Sequence, residues 1–161
     1  DPSLDIVGTM IDDFIDDPNV VTSSRIVPTE HEAICKFAKR RSAFNHVSVM
    51  FKKSAVLGCN GYSDLRRNQD VDLFGRMLHA GCKAKNIEGH LVLVRSNTTL
   101  MRRRKSWQNT KTLIGVMRNL WKIGFTGFGD YLIVSIAQIG IFLMPTGIQR
   151  WIYKTFLRQS H

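Results

Sequence analysis

The stretch "RRNQDVDLFGRMLHAG", residues 66–81, decides how the rest of the chain is read. Leu73, Phe74 and Met77 recur at helical spacing, and Gly81 follows as a residue able to take the left-handed backbone that closes a helix. The spacing predicts a helix over about 70–79, with Asp70 and Asp72 in its first turn. A D-x-D pair suggests a divalent cation, because hard cations gather carboxylate oxygens. Helix geometry opposes that here: residues two apart are about 200° round from each other, so the two carboxylates diverge. Asp72 lies four residues before Arg76, the acid-first arrangement of a solvated surface pair. Asp70 projects on the side of Leu73, Phe74 and Met77. Two readings of it stand from the residues alone. It is either an N-cap, held by the free N–H groups and dipole of the helix start, or a general base facing a cleft.

The chain holds 161 residues, with 23 Lys and Arg against 13 Asp and Glu and a net charge of +10. That length suits one ordinary domain with a core of its own. The charge is uneven: residues 1–34 hold eight acids and one base, leaving 22 bases and five acids for the remainder. Such an excess attracts phosphate, whether of nucleic acid, anionic lipid or nucleotide, without choosing among them. Cys35, Cys59 and Cys82 form no C-x-x-C and have no paired histidines, so they read as reduced, buried thiols of a cytosolic protein. The start, "DPSLDIVGTM", has neither a basic n-region nor an apolar signal core and reads as a chain that begins in mid-domain.

Outward from the helix, "LDIVGTMIDDF" and the Asp-Pro-Asn turn of "IDDPNVV" predict a strand, a turn and a second short strand. Thr29 and Glu32 spell a capping box ahead of Ala33, Ile34, Phe37 and Ala38, with "KRR" suiting the helix C-terminus. "HVSVMFKK" alternates, with Val47, Val49 and Phe51 on one face, and reads as a strand, as does "HLVLVR". "RSNTTLMRRRKSWQNTK" reads as a polar, basic connection. After Lys111, "KTLIGVMRNLWKIG" is amphipathic, with Leu113, Met117, Leu120 and Trp121 on one face. The apolar run Tyr131 to Pro145 falls short of the ~20 residues a spanning helix needs. Its Trp, Tyr, Arg and Lys flanks suit a membrane interface, and a buried helix is the other reading.

Three further features bear on chemistry. Asn45 and His46, after a basic helix end and a short turn, would bring two hydrogen-bonding side chains to a sheet end beside whatever Asp70 faces. "DDFIDD", Asp12 to Asp17, could mimic a metal cluster and reads more simply as a solvated hairpin turn. "RRRK", Arg102 to Lys105, would grip phosphate or anionic lipid, or be a solvated loop. No Ser or Cys sits in an elbow or beside an evident base, which argues against nucleophilic catalysis.

Taken in order, "LDIVGT", "RRSAFNHVSVMFKKSAV", "NGYSD", "QDVDLFGRMLHAG", "NIEGHLVLVR" and "MPTGIQRWIYKTFLR" resemble the second half of a family 2 glycosyltransferase with the GT-A fold. The likeness is to the non-processive bacterial kind that builds capsular or surface polysaccharides. It implies an α/β fold: the acceptor-side half of a Rossmann-like mixed sheet over residues 1–110, then a helical tail over 111–161 that associates with membrane. It implies an inverting transfer from a nucleotide-sugar donor to a saccharide or lipid-linked acceptor at the cytoplasmic face of the cell membrane. Asp70 would be the catalytic base, with Asn45, His46, Gln69, Tyr62 and Arg95 on the acceptor and substrate side. Gln69 stands where the family has glutamate, Ser42-Ala43 where it has Asn-Pro, and Ser96-Asn97 where it continues to a histidine. The family's D-x-D, which holds Mg²⁺ or Mn²⁺ on the donor, belongs to an N-terminal half expected to precede this chain; no metal ligand is expected within it. The resemblance thus implies a fragment inactive alone. The competing expectation is a non-catalytic basic module for anionic membrane or nucleic acid. It lacks the aromatic and basic interleaving of a nucleic-acid reader.

Overall fold

The computed structural model describes residues 1–96, 106–144 and 159–160. Both "RRRK" and the segment 145–158 lie outside them. The fold is mixed α/β, and its organising element is β1 (Ile6–Phe14). Along one edge β1 pairs in parallel with β4 (Ala84–Arg95) over its whole length. The other edge is shared end to end by two antiparallel partners. β3 (Met50–Phe51) takes Ile6 and Val7, while β2 (Ser23–Arg25) takes Ile11 to Asp13. A last strand, β5 (Gln159–Ser160), pairs with β2, although nothing in its sequence signals one. The register of β4 shifts on either side of Met10, which lets twelve residues run beside nine.

The predicted hairpin is present. Its turn is built by the Asp17 carboxylate accepting from the Asn19 N–H at 2.9 Å, and by the Asp13 carbonyl accepting from the Thr22 N–H at 2.8 Å. Only Asp16 and Asp17 of the acidic run are solvated in that turn. Asp13 is buried and accepts from Ser23 Oγ, and Asp12 accepts from Ser24 Oγ and meets His90 Nδ1 at 2.5 Å. The acids of β1 thus stitch the sheet, with no metal cluster among them.

Helix α1 (His31–Ala38) starts without the Thr29–Glu32 box; Glu30 is its N-cap and makes no side-chain cap bond. The Thr29 carbonyl accepts instead from the Asn86 N–H of β4, which draws that residue out of capping position. The strand expected over 46–52 is also replaced. His46–Ser48 form a 3₁₀ turn, β3 keeps only two residues, and Val47 is exposed. The reason lies in the gap that β2 and β3 leave on the edge of β1. There Ser48 Oγ donates to the Thr9 carbonyl and accepts from the Thr9 N–H, while Asn45 Nδ2 donates to the same carbonyl at 2.8 Å and meets the Arg25 carbonyl at 3.4 Å. Two side chains do what a continuous strand would have done, so buried backbone groups remain satisfied.

Helix α2 (Lys53–Gly58) leads to α3 (Gln69–His79), closed as predicted by Gly81 at φ 86°. α4 (Trp107–Lys122) begins four residues before Lys111, inside the stretch read as a connection; Ser106 Oγ caps it by accepting from the Asn109 N–H. Its Val116, Met117 and Leu120 enter one core with Ile6, Ile34, Phe44, Leu73 and Met77. Burial at roughly 1.5–3 kcal/mol per large aliphatic side chain makes α4 an integral wall of the body. Trp121, expected on that face, instead stacks on Tyr131 of α5 (Phe128–Leu143). The α4–α5 pair is antiparallel, since Trp107 also meets Phe142 at the far end. α5 buries only Val134 and Ser135, and no described helix is long and apolar enough to cross a membrane. The three cysteines are free and half-buried rather than fully buried.

Candidate functional site

Asn68 precedes α3 in the left-handed conformation, φ 59°, and its amide reaches across to Asn109 of α4 at 3.3 Å instead of capping its own helix. The N-cap position therefore belongs to Asn68, and Asp70 falls one residue inside the helix. That leaves the Asp70 carboxylate on the wall of a cleft of about 600 Å³. The segment after α1, the first turn of α3, α4 and α5 enclose this cleft, and Asn45 and His46 line it with Asp70. The three residues that the sequence placed near one another thus share one cavity.

Their positions follow from the fold. Asn45 is buried because it bridges β1 and β2, and its Oδ1 has no hydrogen-bond partner. His46, next along the chain, turns outward and packs edge-on against Phe74 at 5.9 Å. Phe74 lies four residues after Asp70 on the same helix face, so His46 and Asp70 come to line the same cleft. His46 Nε2 also meets the Tyr62 hydroxyl at 3.0 Å. Burial, and secondly the negative charge of Asp70, push the Tyr62 phenol above its ordinary value of 10.0. Tyr62 is therefore a neutral phenol at physiological pH, able to donate to a ring nitrogen or a ligand oxygen.

Asp72 has a different fate from the solvated pairing expected. It is buried, accepts from Ser63 Oγ, and takes Arg76 Nε and Nη2 at 3.0 and 2.8 Å. The same guanidinium donates to the carbonyls of Cys59 and Gly61. Asp70 and Asp72 thus face separate surroundings, and D-V-D does not form an ion site. Among the described residues no group of three His, Cys, Asp or Glu side chains is placed to hold a metal.

Gln69 opens α3 without lining the cleft, and Arg95 lies over the Phe14 ring at 5.1 Å, also outside the lining. Sequence reasoning missed Arg25, Arg40 and Arg41, which do line it. The last two are the end of "KRR", a signal absorbed as a helix terminus. The apolar wall from α5, Ile133, Val134, Ala137 and Ile141, was equally hidden within a uniformly apolar run.

Fold and site together define an α/β protein with an open cleft lined by a carboxylate, a histidine, arginines and the aliphatic side chains of α5. No family model matches the chain, and no solved structure does. Its curated relatives are glycosyltransferases. An uncharacterized glycosyltransferase of Haemophilus influenzae is 31% identical over 98% of this chain. A UDP-Gal:alpha-D-GlcNAc-diphosphoundecaprenol beta-1,3-galactosyltransferase of Escherichia coli is 28% identical over 96%. The amylovoran biosynthesis glycosyltransferase AmsE of Erwinia amylovora is 24% identical over 80%. The chain spans 58%, 56% and 48% of these relatives' own lengths.

Proposed function

We propose that this chain forms the acceptor side of an inverting glycosyltransferase of the family 2, GT-A kind, with Asp70 as general base. The observation that carries the reading is the convergence of Asp70, Asn45 and His46 on one cleft, in a chain similar along its length to glycosyltransferases. Asp70 takes the proton of an acceptor hydroxyl as that oxygen attacks the anomeric carbon of a nucleotide-sugar. The new glycosidic C–O bond forms while the bond to the diphosphate breaks, and the nucleoside diphosphate departs with the bonding pair. His46, held by Phe74 and Tyr62, orients the acceptor. The acceptor is a saccharide or lipid-linked saccharide of surface polysaccharide synthesis. The resemblance also implies Mg²⁺ or Mn²⁺ on the donor; the described residues offer such an ion no ligand set, and the roles above belong to the acceptor side alone.

The reading includes a membrane partner on the cytoplasmic face. Leu132, Ile136, Ile139 and Leu143 of α5 are exposed on the side away from the cleft wall, and Lys111, Arg118 and Lys122 of α4 are exposed. Aliphatic residues with basic neighbours suit an anionic lipid surface.

The test is transfer of labelled sugar from a panel of nucleotide-sugars to a GlcNAc-diphosphopolyprenol, using the protein expressed from its own gene. Asp70→Asn is expected to lower kcat by about 10²–10⁴ with little change in acceptor KM, the range of general base catalysis. Near-normal kcat in that variant overturns the assignment.

A further inference from the structure

We propose that Asn86 of β4, which does not line the cleft, is a positioning residue for His46. The role rests on the acceptor-side reading and extends it to the side chain that keeps the orienting ring in place. His46 is exposed, whereas the three residues before it, Ala43, Phe44 and Asn45, are buried. Where that buried run goes, the ring goes with it. Asn86 reaches the run from the sheet: its Nδ2 donates to the Ala43 carbonyl at 2.9 Å and to the Pro28 carbonyl at 2.6 Å, so both of its hydrogens are used. Asn45 ties the other end of the run through its own Nδ2, which donates to the Thr9 carbonyl of β1.

Both amides hold the run at a cost. Of the three buried polar side-chain atoms without a hydrogen-bond partner among the described residues, two are the Oδ1 atoms of Asn45 and Asn86. A buried acceptor left unpaired destabilises a fold, so the two asparagines serve through their donors, and those donors fix one four-residue stretch that ends at the cleft. The sheet is shaped for the second amide. Gly8 of β1 stands opposite Asn86 in the parallel register, and a Cβ there would collide with Asn86 Oδ1 and stand 3.2 Å from Phe44 Cδ1. The bare backbone of Gly8 thus leaves room for the amide and for Phe44 together. Such support matters because a misplacement of about 1 Å, caused far from the chemistry, can cost a reaction roughly 10²-fold.

Two substitutions test this from different strands: Asn86→Ala removes the donors, and Gly8→Ala pushes on the amide and on Phe44. The first readout needs no substrate. In ¹H–¹³C spectra of the 161-residue chain, with His46 assigned by its loss in His46→Ala, each variant is expected to shift the His46 ring signals and to leave those of His79, which packs on Phe125, in place. In sugar transfer each should raise the acceptor KM roughly tenfold, with kcat and the donor KM little changed. A merely structural fault would instead lower the melting temperature and the active fraction, and so kcat, at an unchanged KM. Folded variants with His46 signals and acceptor KM as in wild type overturn the proposal, and so does loss of cooperative unfolding in both. His46→Ala separates it from the reading beneath. If that variant keeps the wild-type acceptor KM while Asn86→Ala moves the His46 signals, the orienting role of His46 fails and the positioning by Asn86 stands. If it raises the acceptor KM while neither variant moves those signals, the positioning alone fails.

Discussion

Arg40 and Asp130 join residues 90 apart in sequence, fastening the segment after α1 to the first turn of α5. The Arg40 hydrogen bond is the chief cause holding the Asp130 carboxyl below its ordinary 3.8; the Gly127 N–H adds to it and burial opposes it. A depressed carboxylate stabilises the fold above its unfolded pKa, and that contribution is lost as pH falls through the folded value. Chemical denaturation of wild type should therefore lose stability between about pH 5 and pH 3, and Arg40→Ala should lose less over that window. Parallel slopes would show that the pair contributes nothing. Asp72 shows what single residues conceal. Its partner Arg76 is legible four positions away, yet its burial depends on Ser63 and the carbonyls of Cys59 and Gly61 folding over both. Periodicity carries no trace of that loop.

Between elements, the contact of α3 with α4 turns on Gly75. A Cβ there would stand 2.6 Å from Leu120 Cδ2, and Leu120 is itself 1% exposed with nowhere to retreat. Gly75→Ala is expected to destabilise by about 1–3 kcal/mol despite the better helix propensity of alanine, because overpacking outweighs a gain of at most ~1 kcal/mol. Thermal melts check this, and an unchanged or raised Tm would refute it. The helices were the most legible elements: α3 shows its apolar repeat and Gly81, and α4 shows all but its first turn. The strand expected at 46–52 failed because alternation in Val47, Val49 and Phe51 cannot reveal that Asn45 and Ser48 occupy the sheet edge. β5 is equally silent, since two residues are too few for a pattern. Of the cleft lining, Asp70, Asn45 and His46 were legible through motif order, while Tyr62 meets His46 without lining the cavity itself. Arg25, Arg40 and Arg41 were not legible, because only the tertiary fold brings them to the same cavity.

Across the whole molecule, a net charge of +10 coincides with an apolar helix largely outside the core. Co-sedimentation should show binding to vesicles rich in phosphatidylglycerol and little to phosphatidylcholine. Raising salt from about 0.1 to 0.5 M should weaken it, as the screening length shortens. Ile136→Asp should weaken it further, and equal binding to both lipids would remove the electrostatic part of the reading. Arg76 does not line the cleft, yet it staples the loop carrying Tyr62 to the helix carrying Asp70. In a genetic screen it would therefore register among the residues of the site, as a fault in alignment that leaves every reacting group in the protein.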